Sequence, residues 1–526
     1  MFDWSSPARR IGSRVLEPIP LEIYQEIFEY FRENDEMSKK KLRRNLANIA
    51  LVCRFFSATA LPRLFANVDF SGGFGPETSR ANRFCRAIIN NEDPAKTLAQ
   101  YVKTCTFRSW SNHNPNDPLG RARDAFLTMY CNALPKMTSL ESIIFNLTPI
   151  DKRIVKSIKS LRLLKSLCFS QCSLSPGLDL DQFTKALKTF HLRSLTIVQW
   201  EPSQSQKFYN TISPALSLHD LTKLEVDNWT IIQRLSSVDI ILPLQTLTIH
   251  TVENPTLLPT LFSKTPQLLN LHVYIINSRV DNLDFIQLPG SLLPNLSFFD
   301  GPPSLAAILI PSRPVHKVWL MGTLVGLPGH ETTQSPPLLP PLDERLWKAL
   351  AKSKAQIREL LIPEHLYYAA SPKLHLPTIA TLKLSWCHAN WDSSGDIKNG
   401  YEEDIKRTLS KLCTKWSPNP SVSQLVFELS LAGAFDYVLL NLRLQHEILQ
   451  DMIEEAFPNV EQVNFLTSID WRRSGDGNWR AEIPETKKRH LWALWNDDPS
   501  HLNDYGGCFE ALFDSSNPDF RDYAEP

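Results

Sequence analysis

Two histidine–glutamate pairs, His330-Glu331 and His446-Glu447, are the residues of this chain that come nearest to a metal-dependent hydrolytic signature. A helical zinc site needs a second histidine four residues after the first, so that both rings share one face, and neither pair has it. Cys168 and Cys172 have no second thiol pair at matching spacing, and read as buried core cysteines rather than metal ligands. No phosphate-cradling Gly-x-x-x-x-Gly-Lys loop, nucleophile-elbow Gly-x-Ser-x-Gly or dinucleotide-binding Gly-x-Gly-x-x-Gly occurs. The basic run Lys39-Lys40-Lys41-Leu42-Arg43-Arg44 has the composition of a nuclear import signal or a phosphate contact. Glu33, Asp35 and Glu36 flank it, however, and the reading preferred is a solvated loop. The expectation is a chain that is not an enzyme, with no catalytic residues, metal or cofactor. The chemistry left to it is non-covalent recognition. His272, Tyr274, Phe299 and Trp319 are the residues expected to carry it, because aromatic bodies with polar tips suit an interface hot spot.

Composition agrees with a recognition role. Lys+Arg and Asp+Glu both total 56, so no global field exists to draw in nucleic acid or an acidic membrane. The apolar share of 43% and charged share of 21% are those of an ordinary soluble protein. No apolar run is long enough to span a bilayer, and the first residues lack the apolar core of a secretory leader. Nine cysteines, odd in number and scattered through apolar patterns, read as reduced thiols of an intracellular protein, cytoplasmic or nuclear. The Asn-x-Ser/Thr matches at Asn146, Asn228 and Asn295 are then expected to be fortuitous.

The elements that would position such a surface come from a repeat. From about residue 98 the pattern apolar–x–x–apolar–x–apolar keeps returning: Leu192/Leu195/Ile197, Leu221/Leu224/Val226, Leu244/Leu247/Ile249, Leu268/Leu271/Val273, Leu293/Leu296/Phe298 and Val315/Val318/Leu320. Earlier copies are Leu140/Ile143/Phe145 and Leu164/Leu167/Phe169; later ones start at Ile357, Ile379, Val422 and Val460. Alternation across the last three positions predicts a short strand with one buried face. From 140 to 315 the starts fall roughly every 22 to 29 residues, inside the range of leucine-rich repeats, each too small to bury a core without its neighbours. The fold class expected is α/β, a solenoid or horseshoe of short parallel strands over residues 98–467. Two insertions interrupt it, a Pro-rich one at 326–341 and another at 386–416 that ends in a helical stretch. A Trp-rich cap is expected at 468–513, and a flexible tail at 514–526. Residues between the strand leucines, Thr196, Glu225, Asp227, Thr248, His250, Met321 and Lys383 besides the four named above, are expected on the concave face.

Ahead of the array, Ile19, Ile23, Ile27 and Phe31 recur at helical spacing, with Tyr24 and Phe28 beside them and Pro20 suited to a first turn. A second stripe runs Leu46, Ile49, Ala50, Cys53, Phe56, followed by Pro62, Leu64 and Phe65 and a strand at Asn67-Val68-Asp69-Phe70. So few residues with so many large apolar side chains need a neighbour to cover them.

Residues 16–70 resemble the F-box. The family's opening run is matched by Ile19-Pro20-Leu21-Glu22-Ile23 and then Ile27-Phe28; its second element is matched by Leu51-Val52-Cys53-Arg54-Phe55-Phe56 and Pro62-Arg63-Leu64-Phe65. Tyr24, where an aliphatic residue is commoner, and the charged insert Arg32 to Arg44 depart from the family pattern. The degenerate repeats behind it are similar to arrays that often follow an F-box, especially in fungal proteins. The resemblance implies a substrate-receptor subunit of a cullin-type (SCF) ubiquitin ligase. Ile19, Pro20, Ile23, Ile27, Leu51, Val52, Phe56, Pro62, Leu64 and Phe65 would serve a Skp-family adaptor, which links to a cullin, although some of them must pack the module itself. The repeats would hold an unidentified protein target. The alternative kept open is an F-box/leucine-rich scaffold acting outside ubiquitination.

Overall fold

The computed structural model describes residues 9–11, 14–16, 20–29, 36–73, 76–110, 118–199, 208–212, 219–276, 286, 288–320, 344–363, 375–386, 407, 409–429, 442–465, 469–475 and 477–482. The chain divides into two compact units, Met1–Ile249 and His250–Pro526.

The first unit opens with a short antiparallel pair, Arg9–Ile11 with Arg14–Leu16, and then three helices: α1 (Leu21–Glu29), α2 (Glu36–Ala50) and α3 (Arg54–Leu64). The charged segment expected as a loop is largely α2. Its Lys, Arg and Leu residues are strong helix formers, and their charge does not oppose a solvated helix. Leu51 and Val52 form the turn into α3, closed by Leu51 N–H to Asn48 O (3.1 Å) and Val52 N–H to Ile49 O (3.1 Å). Pro62 lies inside α3, in its last turn, rather than beyond the helix.

Seven strands follow in register, all parallel: Asn67–Ser71, Thr104–Arg108, Ser142–Asn146, Ser166–Ser170, Ser194–Val198, Lys223–Val226 and the first residues of Thr246–Val252. The ladder thus begins at Asn67, one strand before the expected start of the array. The strand Thr104–Arg108 also belongs to it, with Val102, Cys105 and Phe107 buried in the repeat positions although none is a leucine. Phe70, Phe107, Phe145 and Phe169 occupy equivalent register positions and their rings adjoin one another at 5.2, 5.2 and 5.7 Å. This column of rings binds each repeat to the next. Helices cross back between strands, capped where the sequence offers a short polar side chain. Asp151 accepts from the N–H groups of Arg153 and Ile154, and Asn228 from that of Thr230.

The second unit continues the same grammar. Asn270–Ile276, Phe298–Gly301, Lys317–Leu320, Glu359–Pro363, Thr381–Trp386, Gln424–Leu429 and Gln462–Phe465 pair in parallel. The order then reverses: Ile469–Arg473 and Trp479–Glu482 add antiparallel strands. Trp471 and Trp479 are buried there and donate to Gln445 Oε1 (2.8 Å) and Glu454 Oε1 (2.7 Å). Residues 409–416 are helical, while the Pro-rich segment, most of 386–416 and everything beyond 482 lie outside the described residues. Of the twelve repeats read from the sequence, all but one bury all three apolar positions.

The exception is Leu293/Leu296/Phe298. Phe299, not Phe298, is the buried ring, and it aligns with Leu271 and Val318. Gly301, aligned with buried Leu320, has no side chain to fill the core. The Phe299 ring takes that space, lying 3.0 Å from where a Cβ on residue 301 would stand. Phe299 is therefore a core residue, which corrects its expected place on the recognition face; Phe298 takes that place.

Candidate functional sites

Each unit carries one surface on which the sequence-derived residues can be placed. In the first, Tyr24 turns inward from α1. Its ring meets Phe55 at 4.9 Å and Phe56 at 5.5 Å, and those two rings lie 5.5 Å apart. Tyr24 and Phe55 form the helical core with Leu46 and Ala60, against which Ile49, Cys53, Phe56 and Leu64 are partly packed. The other side of α1 presents Ile23 (44% exposed) and Ile27 (48%), and the turn between α2 and α3 presents Leu51 (85%) and Val52 (68%). Of the ten residues assigned to a partner, the nine that are described separate into two groups. Pro20, Ile23, Ile27, Leu51 and Val52 are exposed, whereas Phe56, Pro62, Leu64 and Phe65 are half-buried. Phe56 and Leu64 pack against the helical core, and Phe65 packs on Phe84 of the helix Pro76–Ile89 (ring centres 5.6 Å apart). Ile19 and Phe31 lie outside the described residues. Single large apolar side chains on a surface are ordinary, but four on one helix and one turn of the same small module are a candidate contact surface.

In the second unit, the side chains that alternate with the core positions line up across strands, most of them half-buried and Asp300 and Leu361 buried. One row holds Phe298, Lys317 and Glu359; the next holds His272, Asp300, Trp319, Leu361 and Lys383. They form a connected cluster. The His272 ring meets Phe298 edge-on at 5.0 Å, and Phe298 meets Trp319 at 5.2 Å. Lys317 Nζ lies over both Phe298 (5.1 Å) and Trp319 (4.5 Å), and Lys383 Nζ over Trp319 (5.0 Å). Glu359 ties the group together. Its Oε1 accepts from Trp319 Nε1 (3.1 Å) and pairs with Lys383 Nζ (3.1 Å), while Oε2 pairs with Lys317 Nζ (3.2 Å). Burial on its own would raise the Glu359 carboxyl; the hydrogen bonds from Trp319, Lys383 and Lys317 outweigh it and hold the group below its ordinary value. At one end His272 Nδ1 lies 2.9 Å from Asp300 Oδ2, a geometry suited to N–H donation to the carboxylate. Asp300 Oδ1 is buried without a hydrogen-bond partner.

His272 and Trp319 thus belong to one cluster. Tyr274, half-buried, lies further along the His272 strand with its ring 4.9 Å from that of His250. Met321 is outside the described residues. In the first unit Thr196 and Glu225 face outward, joined by Thr196 Oγ1 to Glu225 Oε2 (3.3 Å); Thr248 is buried, and Asp227 accepts from the Tyr209 hydroxyl and the Gln199 N–H. The network of Lys317, Glu359 and Lys383 was not anticipated as a unit. Aligning the repeats position by position would have put Lys317 and Glu359 side by side.

Cys172 is buried, and burial pushes its thiol up to about 12; Cys168 is half-buried on the outward row, and burial pushes it up to about 11. His446 packs its ring on Trp471 at 5.6 Å, and His330-Glu331 lies outside the described residues. Among the described residues no group of three metal-ligating side chains comes together, and no helix is long and apolar enough to cross a membrane.

No family model matches the chain, and no curated protein matches it. Among solved structures it is similar to one described as the structure of the Toll–Spatzle complex, a molecular hub in Drosophila development and innate immunity. Identity is 11% and the TM-score 0.27, over 71% of this chain and 54% of the other. This chain spans about half the length of the chain it matches, and so distant a likeness supports no statement about function. What stands on the molecule itself is a mixed α/β protein whose mostly parallel ladders repeat with leucine-rich-repeat spacing.

Proposed function

We propose that this chain is a substrate-receptor subunit of a cullin-type ubiquitin ligase, with α1–α3 acting as an F-box-like module for a Skp-family adaptor and the repeats holding a protein target. The observation that carries the reading is the exposure of Ile23, Ile27, Leu51 and Val52. These are apolar residues of the F-box-like motif that the module does not use for its own core. In this role the chain supplies no nucleophile. It accelerates transfer by holding a target lysine near a ubiquitin-charged enzyme borne elsewhere in the assembly, replacing a chance encounter with a positioned one.

Co-expression with a Skp-family adaptor tests this, comparing the native chain with an Ile23→Asp, Leu51→Asp variant. Burying an aliphatic side chain is worth about 1.5–3 kcal/mol, so losing two weakens binding by roughly a hundredfold or more. Because both positions are solvent-exposed, thermal stability of the variant should stay near that of the native chain. Failure of the folded native chain to capture the adaptor would overturn the proposal. Capture without modification of any bound protein in a reconstituted ligase would favour the scaffold reading instead.

A further inference from the structure

Resting on the reading of the repeats as the target-binding part, we propose that the Phe298–Lys317–Trp319–Lys383 surface of the second unit receives an acidic peptide segment, a carboxylate side chain with an apolar neighbour. The first ground is charge. Two ammonium groups converge on the single carboxylate of Glu359, leaving the Lys317–Glu359–Lys383 network itself with one positive charge in excess. The other nearby carboxylate, Asp300, is engaged by His272, and its side chain is only 3% exposed, against 31% for Lys317 and 21% for Lys383. The charged atoms an incoming segment can reach are therefore mainly those of the lysines.

The second ground is unused hydrogen-bonding capacity. A lysine ammonium has three donors, and Glu359 takes one from each, so both lysines retain donors for an incoming acceptor. Glu359 already accepts through both oxygens and is the fixed strut of the site. The third ground is pre-organisation. Cation–π contacts to Trp319 and Phe298 hold the lysine heads in place, so a ligand does not have to order two long side chains on binding. The half-buried edges of Phe298 and Trp319 offer apolar area beside the charge. A basic segment would meet two like charges here, and the balanced overall charge offers no field for nucleic acid.

Peptide display tests the inference. A random library is selected on the full-length chain, and the recovered peptides are synthesised and titrated by fluorescence anisotropy. The expected outcome is enrichment of Asp or Glu next to an apolar residue, binding that weakens with salt, at least tenfold loss in a Lys317→Gln, Lys383→Gln variant, and retention in Lys317→Arg, Lys383→Arg. A basic, neutral or phosphorylation-dependent preference overturns the proposal. So does an acidic preference indifferent to both lysine changes, or no enrichment over an unrelated repeat protein. Circular dichroism of each variant separates loss of binding from loss of fold. Adaptor capture is measured in parallel. If capture fails while the lysine-dependent acidic preference holds, the ligase reading falls and this one stands; the reverse pattern removes this one alone.

Discussion

Replacing Glu359 by glutamine keeps the shape of the side chain, and an amide oxygen can still accept from Trp319 Nε1, yet it removes the carboxylate that pairs with both Lys317 and Lys383. At 3.1 and 3.2 Å and an effective dielectric near 20, each ion pair has a Coulomb attraction of about 5 kcal/mol. Partial dehydration of all three groups offsets most of that, and with a fifth to a third of each side chain exposed, solvent screens more. Charge-assisted hydrogen bonds measured by mutation are worth about 1.5–3 kcal/mol each. Since the variant keeps the Trp319 bond but leaves two ammonium groups facing each other, a loss of about 2 kcal/mol is expected. For a unit of this size that lowers Tm by roughly 4–8 °C. Calorimetry at neutral pH measures it, and repeating the scan in acid tests its origin. The folded-state value of Glu359 lies below its ordinary 4.5, so its contribution is fully present above that pH and is lost as pH falls through the depressed folded value. The difference between native chain and variant should therefore shrink as the pH is taken below 4.5. A difference under about 0.5 kcal/mol at neutral pH, the scatter of ordinary surface changes, or one that persists undiminished in strong acid, would refute the reasoning.

Two further outcomes follow from packing. Phe55→Ala removes the ring between Tyr24 and Phe56 from a core of few residues; a cost of about 3–5 kcal/mol should melt α1–α3 and abolish adaptor capture. Hydrogen exchange over residues 20–65 should show protection lost there while the strands from Ser142 onward keep theirs. Arg313 is fully buried and donates to the carbonyls of Leu292 (2.8 Å), Pro289 (2.9 Å), Pro311 (3.1 Å) and Leu309, so Arg313→Met takes a donor from four carbonyls at once, the buried one of Leu309 among them. Urea unfolding should show a loss of at least about 3 kcal/mol, and Arg313→Lys should restore little, since one ammonium cannot span the positions the guanidinium fork reaches.

The repeat was legible because its signal is redundant. Twelve copies of one spacing can absorb errors, and the buried face of each strand is written directly in the alternation of side chains. Where one copy misled, at Phe298 and Phe299, two adjacent aromatics fit the pattern equally. The choice depended on Gly301, whose missing side chain leaves room that only a neighbouring strand's register reveals. The strand Thr104–Arg108 escaped for the opposite reason: Val102, Cys105 and Phe107 satisfy the spacing without a leucine to advertise it. In the N-terminal module the apolar residues were legible, but not which of them turned inward. Ile23 and Tyr24 are adjacent on α1 and both apolar enough for a core; Phe55 and Phe56, brought in by α3, select the aromatic ring. The lysine–glutamate network was harder still. Lys317, Glu359 and Lys383 become neighbours only when two long connections are closed in the correct register.

The outward faces of the two ladders support assigning recognition to the second. In the first unit the outermost row runs through Ser142, Ser166 and Ser194, small hydroxyl side chains that water solvates without cost and that offer little area to a partner. Stability there comes from the buried phenylalanine column, and nothing larger is needed outside. The second unit has an equally complete buried set, so its fold does not require Phe298 and Trp319 on the other face either. Keeping those rings half-exposed, with two ammonium groups over them, gives the fold a few surface contacts that serines would forgo but adds nothing to its core. A surface that gives up solvation without gaining core is best understood through what it contacts. On that argument, trimming the cluster to Phe298→Ser, Trp319→Ser should cost the fold little relative to Phe55→Ala and remove peptide binding altogether, whereas comparable losses of both would return these rings to a structural role.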